Sequence, residues 1–354
     1  MFERRKTRTV EVGNVKMGSG HPVVIQSMTK TDTADAALTA GQIRLLEKAG
    51  CEIVRLSVKD MRSAEAVEDI KKETTIPMVA DIHFDHKLAL EAIRRGADKI
   101  RINPGNMQKE QDVAEVIDAA KEKKIPIRVG INSGSLLEKV TGKTATADAM
   151  VASLVKYLEY FRKRDFNDIV VSLKASDVKT TVEAYRKASD ECDYPFHLGV
   201  TAAGPPRDGV VRSSVGIGTL LMEGIGDTIR VSLTGDPVEE VDTAKRILSS
   251  TGSRRFGPDV ISCPTCGRCQ VDLISLVEEL EKRLSADTGA DLTIAVMGCE
   301  VNGPGEAKAA DIGIAFGKGK GAIFKQGKIV KTVDASCAID ELLAMIGKEQ
   351  EREL

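Results

Sequence analysis

Residues 99–132 read KIRINPGNMQKEQDVAEVIDAAKEKKIPIRVGIN, and they contain one complete unit of the pattern that decides the fold. The apolar runs KIRIN (99–103) and IRVGIN (127–132) predict two short buried strands. Between them, DVAEVIDAAKEKK (112–124) has the apolar spacing of an amphipathic helix. Two strands joined by a helix pair in parallel, so this stretch predicts a strand–helix–strand unit of an α/β protein.

The same pattern recurs from residue 23 to about residue 250. Apolar, β-branched runs occupy 23–28, 53–58, 77–83, 99–103, 127–132, 168–175, 196–201 and 228–234, with helical stretches between them. Gly50 and Gly96 stand where helix C-terminal caps belong. Eight units in roughly 230 residues match the size of a closed (β/α)8 TIM-like barrel. The alternative is an open doubly wound sheet, but no predicted strand leads into a G-x-G-x-x-G turn.

Two further segments flank this repeat. Before it, TVEVGNVKMGSG (9–20) alternates like a small hairpin that could close one end of a barrel. After Gly257, a helix, strands, a hairpin with its turn at Gln326–Gly327, and a last helix predict a small α+β module. We therefore expect two domains, residues 1–255 and residues 256–354.

Composition excludes several classes of function. The 354 residues carry a formal net charge of −2, and aromatic residues make up 3%. This balance does not favour binding to nucleic acid or to an anionic membrane surface. The N-terminus has no apolar run of the kind a signal peptide needs, and no window has the length of a membrane span. We therefore expect a cytoplasmic protein, in which clustered cysteines indicate metal binding or catalysis.

Cationic residues occupy the predicted strand ends, where the active site of a βα-barrel lies. The cations are Arg55, Arg101, Arg128, Arg230 and Lys174, and other polar candidates there include Asp81, His83, Asn132 and Thr234. Each arginine could pair with a carboxylate of a neighbouring strand, but Asp81 is the only acid placed firmly at a strand end. The excess of positive charge predicts a ligand with several negative charges, such as a diphosphate.

Three cysteines lie within seven positions in ISCPTCGRCQ (261–270), and Cys299 follows in MGCEVNGPGEA (297–307). The spacing of Cys263 and Cys266 is typical of a metal site. An iron–sulfur cluster, which accepts three thiolates and another donor, is favoured over zinc. A redox disulfide is the third alternative, and Cys269 is the additional thiol available to a zinc site.

Seven motifs together resemble the 4-hydroxy-3-methylbut-2-enyl diphosphate synthase family. They are VVIQSMTKTDT (23–33), ADIHF (80–84), RINPGN (101–106), RVGINSGSL (128–136), EGIGDTIRVSL (223–233), CPTCGR (263–268) and GCEVNGPGEA (298–307). They follow in order over nearly the whole chain, in the short two-domain arrangement. This resemblance implies an iron–sulfur oxidoreductase of the non-mevalonate route to isoprenoids.

The resemblance also implies a 4Fe–4S cluster, with ligands that map onto Cys263, Cys266, Cys299 and Glu306. The implied reaction is the reductive ring opening and dehydroxylation of 2-C-methyl-D-erythritol 2,4-cyclodiphosphate. Two electrons come from reduced flavodoxin or ferredoxin, and the implied assembly is a homodimer. The expected substrate contacts are Arg55, Arg101, Arg128, Asn132, Lys174, His83 and Thr234, and the expected catalytic acids are Asp81 and Asp236, beside Glu306.

Overall fold

The computed structural model describes residues 3–136, 146–284, 292–300, 305, 308 and 310–353. By its internal contacts the chain divides into two compact units, Met1–Arg254 and Arg255–Leu354. Each unit has its own sheet and its own core.

The first unit begins with a hairpin. Strands β1 (Val10–Val12) and β2 (Val15–Met17) pair antiparallel around Gly13, whose φ of +56° suits a glycine turn. Side chains of the hairpin pack against the first inward-facing residues of the barrel strands, among them Val24 and Val170. The hairpin therefore covers the N-terminal end of the barrel, as its alternating sequence predicts.

Eight parallel strands form the barrel wall. They are β3 (Val24–Met28), β4 (Ile53–Val58), β5 (Met78–Ile82), β6 (Lys99–Ile102), β7 (Ile127–Asn132), β8 (Ile169–Lys174), β9 (His197–Leu198) and β10 (Thr228–Ile229). They pair in the order β8-β7-β6-β5-β4-β3-β10-β9, and a parallel bridge between Val171 and Phe196 joins β8 to β9. This ring confirms the predicted barrel and excludes the open sheet.

One helix follows each strand. The helices are α1 (Ala36–Lys48), α2 (Met61–Glu73), α3 (His86–Arg94), α4 (Glu110–Lys123), α5 (Ala147–Arg162), α6 (Val178–Glu191), α7 (Pro206–Met222) and α8 (Pro237–Ser250). Aspartates cap five of them at the N-terminus, since each carboxylate accepts a hydrogen bond from a free backbone N–H of the first turn. Gly50 and Gly96, both with a φ of +96°, follow α1 and α3 in the left-handed conformation that their predicted capping role requires.

The second unit is a five-stranded mixed sheet with helices. Its elements are β11 (Asp259–Ser262), α9 (Leu273–Arg283), β12 (Thr293–Met297), β13 (Ile312–Gly317), β14 (Lys320–Lys325), β15 (Lys328–Asp334) and α10 (Ala338–Glu353). Strands β11, β12 and β13 are parallel, while β14 and β15 form an antiparallel hairpin that turns at Gln326–Gly327, as predicted. Strand β11 was not predicted from the sequence. Apolar residues of the sheet and both helices, such as Val296, Leu280 and Leu342, form the core.

Candidate functional site

The barrel contains a cavity of about 300 Å³ at the C-terminal ends of its strands. Its lining residues are Met28, Arg55, Asp81, His83, Arg101, Arg128, Asn132, Ser172, Lys174, Thr201, Ala202, Arg230 and Ser232. Because alternate residues of a strand face the same side, Arg55, Asp81 and Arg101 all point inward from three neighbouring strands. This is the face at which βα-barrels carry their chemistry.

Asp81 is the ionic centre of this cavity. Its Oδ1 lies 3.0 Å from NH1 of Arg101, and its Oδ2 lies 3.6 Å from Nε of Arg55. Burial would raise the pKa of Asp81, but the charges of Arg101, Arg55 and Arg128 outweigh it and lower the pKa to about 2. Asp81 is therefore a carboxylate at neutral pH, and it holds two arginines in place.

Arg55 is a second buried member of the cavity wall. Its guanidinium donates to the sulfur of Met28, with Nε and NH2 at 3.1 and 2.9 Å. Burial lowers the pKa of Arg55 to about 9, although the carboxylate of Asp81 opposes that shift. Arg55 therefore stays protonated at neutral pH, and its charge is available to an anionic ligand.

Arg128 and Lys174 have no ion-pair partner among the described residues. Nε and NH1 of Arg128 are buried and make no hydrogen bond within this part of the chain. Burial lowers the pKa of Lys174 well below its ordinary value, and the charges of Arg128 and Arg55 lower it further. These two cations carry positive potential that only a ligand can balance.

Arg230 has a partner that sequence reasoning missed. Its NH2 lies 3.2 Å from Oε2 of Glu240, a buried residue of α8. The same carboxylate also accepts from Lys30 and Ser27, at 3.3 and 3.2 Å. Glu240 lies within the helix α8 and not at a predicted strand end, so nothing in the sequence places it near the cavity. The packing of α8 against the barrel shows that it pairs with Arg230. Five cations of the cavity thus meet two carboxylates, Asp81 and Glu240.

Two of the three expected contacts that are neither arginine nor lysine, His83 and Asn132, also line the cavity. Nε2 of His83 lies 3.4 Å from the hydroxyl of Ser57, and Asn132 stands at the end of β7. The cavity adds Ser172, Thr201, Ala202 and Ser232, which were not among the expected contacts. Ala202 has a φ of +52°, which is uncommon for a residue with a side chain and marks a constrained loop at this wall.

Thr234 and Asp236 do not line the cavity. The last barrel strand, β10, ends at Ile229, which is earlier than its apolar sequence predicts. Thr234 is exposed beyond it, and the exposed Asp236 caps α8, where its carboxylate accepts from the backbone N–H of Val238 at 2.9 Å. The side chain of Asp236 is therefore occupied by a helix cap.

The cysteine loop lies at one end of the second sheet. Strands β11 and β12 are parallel, with Ser262 opposite Val296, so Cys263 and Cys299 follow the same ends of neighbouring strands. The backbone N–H of Gly298 donates to the sulfur of Cys263 at 3.3 Å. The loop then returns to β12, because the N–H of Gln270 donates to the carbonyl of Gly298 at 3.0 Å.

The four thiols of this region differ in their surroundings. None of them forms a disulfide with another described cysteine; Cys266 is exposed, Cys299 is buried, and Cys263 and Cys269 are intermediate. The sulfur of Cys269 donates to the carbonyl of Val271 at 3.3 Å and lies so close to Gly298 that a β-carbon there would clash with it at 2.4 Å. Cys269 is therefore engaged by the local backbone.

Glu306, the expected fourth ligand, lies outside the described residues. Within those that are described, no three His, Cys, Asp or Glu side chains stand together closely enough to hold a metal ion. The cysteine thiols at adjacent strand ends are nevertheless the donors that an iron–sulfur cluster requires. Of the helices whose residues are described, none has both the length and the apolar character needed to cross a membrane.

Solved structures share the barrel fold. The chain matches dihydropteroate synthase from Stenotrophomonas maltophilia with a TM-score of 0.53 at 15% sequence identity, covering 69% of this chain and 98% of that one. The enzyme from Yersinia pestis gives a TM-score of 0.50 at 16% identity, covering 70% and 99%. At these identities the likeness shows the fold alone.

Fold and site define the class: a TIM-barrel protein with a cationic cavity and a cysteine-bearing second unit. Residues 7–245 match the family model of the GcpE TIM-barrel domain, and residues 259–348 match that of the GcpE protein C-terminal domain. The chain belongs to the GcpE family, the family of 4-hydroxy-3-methylbut-2-en-1-yl diphosphate synthase, which confirms the resemblance seen in its motifs.

Curated relatives cover nearly the whole chain. The 4-hydroxy-3-methylbut-2-en-1-yl diphosphate synthase (flavodoxin) of Thermodesulfovibrio yellowstonii is 54% identical over 350 residues, which is 98% of this chain and 100% of the relative. The enzyme of the same name from Clostridium perfringens is 53% identical over 347 residues, covering 98% and 99%.

Proposed function

We propose that the barrel cavity binds 2-C-methyl-D-erythritol 2,4-cyclodiphosphate and that this chain reduces it to (E)-4-hydroxy-3-methylbut-2-enyl diphosphate. Family membership makes the chain an oxidoreductase of the EC 1.17.7 class in the non-mevalonate route to isoprenoids, as the motifs predict. The observation that carries the binding proposal is the excess of cations over carboxylates in the cavity. A cyclic diphosphate supplies the missing negative charge.

The proposed substrate contacts are six of the seven expected residues. Guanidinium groups bind phosphate oxygens through paired N–H donors, and the amide and imidazole groups add directional hydrogen bonds. Thr234 is left out because its side chain lies outside the cavity. The proposed set is Arg55, Arg101, Arg128, Lys174, Asn132 and His83, all of which line the cavity.

We propose that Asp81 positions arginines and does not donate a proton. A carboxyl group with a pKa of about 2 is almost wholly ionised at neutral pH. Burial, followed by the charges of Arg128 and Arg55, lowers the pKa of Lys174 well below its ordinary value, so we propose Lys174 as the cavity residue that exchanges a proton. We do not propose Asp236 for this role, since its carboxylate accepts a hydrogen bond from the backbone N–H of Val238 and caps α8.

The proposed cofactor is a 4Fe–4S cluster held by Cys263, Cys266, Cys299 and Glu306. Three of these residues are cysteines that follow the same ends of neighbouring strands, and none of the three forms a disulfide with another described cysteine. When bound, such a cluster supplies electrons to the substrate, and a carboxylate ligand can yield its position more readily than a thiolate. Cys269 is not included, since its sulfur is held against Val271 and Gly298.

Reduced flavodoxin is the proposed electron donor, with ferredoxin as the alternative. The word flavodoxin stands in the names of the curated relatives. We also propose a homodimer, as the motif resemblance implies. Analytical ultracentrifugation of the full-length protein measures the mass of the assembly directly. A monomer at micromolar concentration would contradict the proposed homodimer.

Anaerobic purification followed by iron and sulfide analysis tests the function. We expect a brown protein with roughly four irons per chain, which converts the cyclodiphosphate when reduced flavodoxin or a reduced viologen is supplied. A colourless protein that contains zinc and no iron would instead support a zinc-stapled barrel that binds a phosphorylated ligand without redox chemistry.

Variants at the proposed carboxylate ligand refine this test. Glu306→Ala should keep most of the iron and lose turnover, because three thiolates still hold the cluster. Glu306→Asp serves as the matched control, since it keeps a carboxylate. Full turnover in Glu306→Ala would rule out the glutamate as a ligand.

A further inference from the structure

A second group of polar residues lies deeper in the barrel than the cavity. Lys99 precedes Arg101 by two positions on β6, and Gln26 precedes Met28 by two positions on β3. Each therefore faces inward, one layer closer to the N-terminal hairpin. The group also contains Arg128, which reaches the cavity from the start of β7, and His197. We call Gln26, Lys99, Arg128 and His197 the deep layer.

The deep layer is fully buried and its polar atoms lack partners. All four residues are at most 1% exposed. Within the described part of the chain, no hydrogen bond is made by six of their atoms: Oε1 and Nε2 of Gln26, Nζ of Lys99, Nε and NH1 of Arg128, and Nε2 of His197. Buried polar atoms of folded proteins are almost always satisfied, so six such atoms on four inward-facing side chains require a cause. Three of these side chains are close enough to act on one another electrostatically, since Lys99 and Arg128 both influence His197.

The charges of this layer are all of one sign. The charged neighbours that act on Lys99 are Arg128 and Arg55, both cations. Asp81, a carboxylate that acts on Arg128, is itself held by Arg101 and Arg55. Burial, followed by these like charges, lowers the pKa of Lys99 well below its ordinary value. The deep layer thus contains desolvated basic groups that form no ion pair with a carboxylate among the described residues.

We propose that the deep layer binds one small inorganic anion of the size of chloride. Lys99, Arg128, His197 and the amide of Gln26 can all donate N–H hydrogen bonds. Such donors bind an anion, which accepts hydrogen bonds and carries negative charge. A water molecule could satisfy the hydrogen bonds but would add no negative charge beside Arg128, whose neighbouring carboxylate, Asp81, is already shared by Arg101 and Arg55. The bound anion also fixes the guanidinium of Arg128, a positioning role at the base of the cavity.

This site adjoins the proposed substrate site and shares Arg128 with it. Lys99, His197 and Gln26 are not among the residues that line the cavity, and the anion binds without substrate. The proposal therefore stands or falls independently of the reaction that the chain catalyses.

Thermal unfolding of the full-length protein provides the first test. Chloride is varied at constant ionic strength against gluconate, which is too large for a buried site. We expect the midpoint of the barrel transition to rise by roughly 2 to 4 °C for each tenfold increase in chloride above its Kd. Lys99→Met should abolish that rise. Lys179→Met, whose side chain is 85% exposed, is the control and should keep it.

Diffraction from wild-type crystals grown in bromide provides the second test and needs no variant. We expect an anomalous peak within hydrogen-bond distance of Lys99 and Arg128. No peak there, or an equal chloride dependence in wild type and Lys99→Met, would overturn the proposal. Density that appears only when the cyclodiphosphate is added would also overturn it, because the substrate phosphate would then be the occupant.

Discussion

Asp81 and Arg101 form an ion pair inside the barrel, with 3.0 Å between Oδ1 of Asp81 and NH1 of Arg101. Both side chains are nearly fully buried, and they come from neighbouring strands in direct register. Removal of one partner leaves the other charge desolvated and unpaired, so this pair has consequences for both stability and ligand binding.

Asp81→Asn should destabilise the barrel by about 3 kcal/mol, because Arg101 and Arg55 would lose their only shared carboxylate. Urea unfolding of the full-length protein measures this. Asp32→Asn is the control: Asp32 pairs with Lys59 at 2.9 Å, but both side chains are more than half exposed. Its cost should be below about 1 kcal/mol. Equal losses in the two variants would contradict the buried ion pair.

The contribution of Asp81 should depend on pH in the acid range. Its folded pKa of about 2 lies below the unfolded value of about 3.9, so its stabilisation is fully present above that value. It is lost as pH falls from about 4 through 2. The difference in unfolding free energy between wild type and Asp81→Asn should therefore shrink by roughly 2 to 3 kcal/mol over this window. A difference that stays constant down to pH 2 would show that Asp81 is not ionised in the barrel.

Arg128→Gln should raise KM for the cyclodiphosphate by about a hundredfold, since this guanidinium lines the cavity and has no carboxylate ion-pair partner among the described residues. Steady-state kinetics with reduced viologen as donor measure the change without involving flavodoxin. Arg186→Gln removes an exposed arginine that pairs with Glu223, and it should leave KM unchanged. An unaltered KM in Arg128→Gln would exclude Arg128 from the substrate site.

Gly199→Ala should displace Lys174. A β-carbon at Gly199 would lie 2.6 Å from Nζ of Lys174 and 2.6 Å from the carbonyl oxygen of Arg230. The carbonyl oxygen belongs to the backbone and cannot shift without distorting it, so the side chain of Lys174 has to move. We expect KM to rise at least tenfold, which corresponds to about 1.4 kcal/mol of lost binding. Gly20→Ala, where no atom lies within 4 Å of the added carbon, should behave as wild type. Wild-type kinetics in Gly199→Ala would place Lys174 away from the substrate.

Cys299→Ala and Cys269→Ala should differ in iron content. Cys299 is a proposed ligand, so its loss should release the cluster and the brown colour. Cys269 donates to the carbonyl of Val271, so its alanine variant should retain iron and sulfide. Anaerobic iron and sulfide analysis of both variants shows which of the two cysteines the cluster needs. Loss of iron in Cys269→Ala would make that thiol a ligand.

The sequence by itself determined the barrel, the small second module and the direction in which the strand residues point. Strand and helix periods are local properties, so the spacing of apolar residues shows them without knowledge of contacts. The same period placed Arg55, Arg101, Arg128 and Lys174 at one end of the barrel. The motifs at 23–33, 101–106 and 263–268 identified the family.

Only the tertiary structure decided which charges meet. Asp81 serves both Arg101 and Arg55 because strand register brings together residues 20 or more positions apart. Glu240 reaches Arg230 from a helix, and the early end of β10 leaves Thr234 outside the cavity. In the sequence, Lys99 is the polar first residue of an otherwise mostly apolar strand, and nothing there shows that its side chain is buried. The tertiary structure buries Lys99 beside Arg128. These relationships depend on distances across the barrel, which a one-dimensional pattern does not contain.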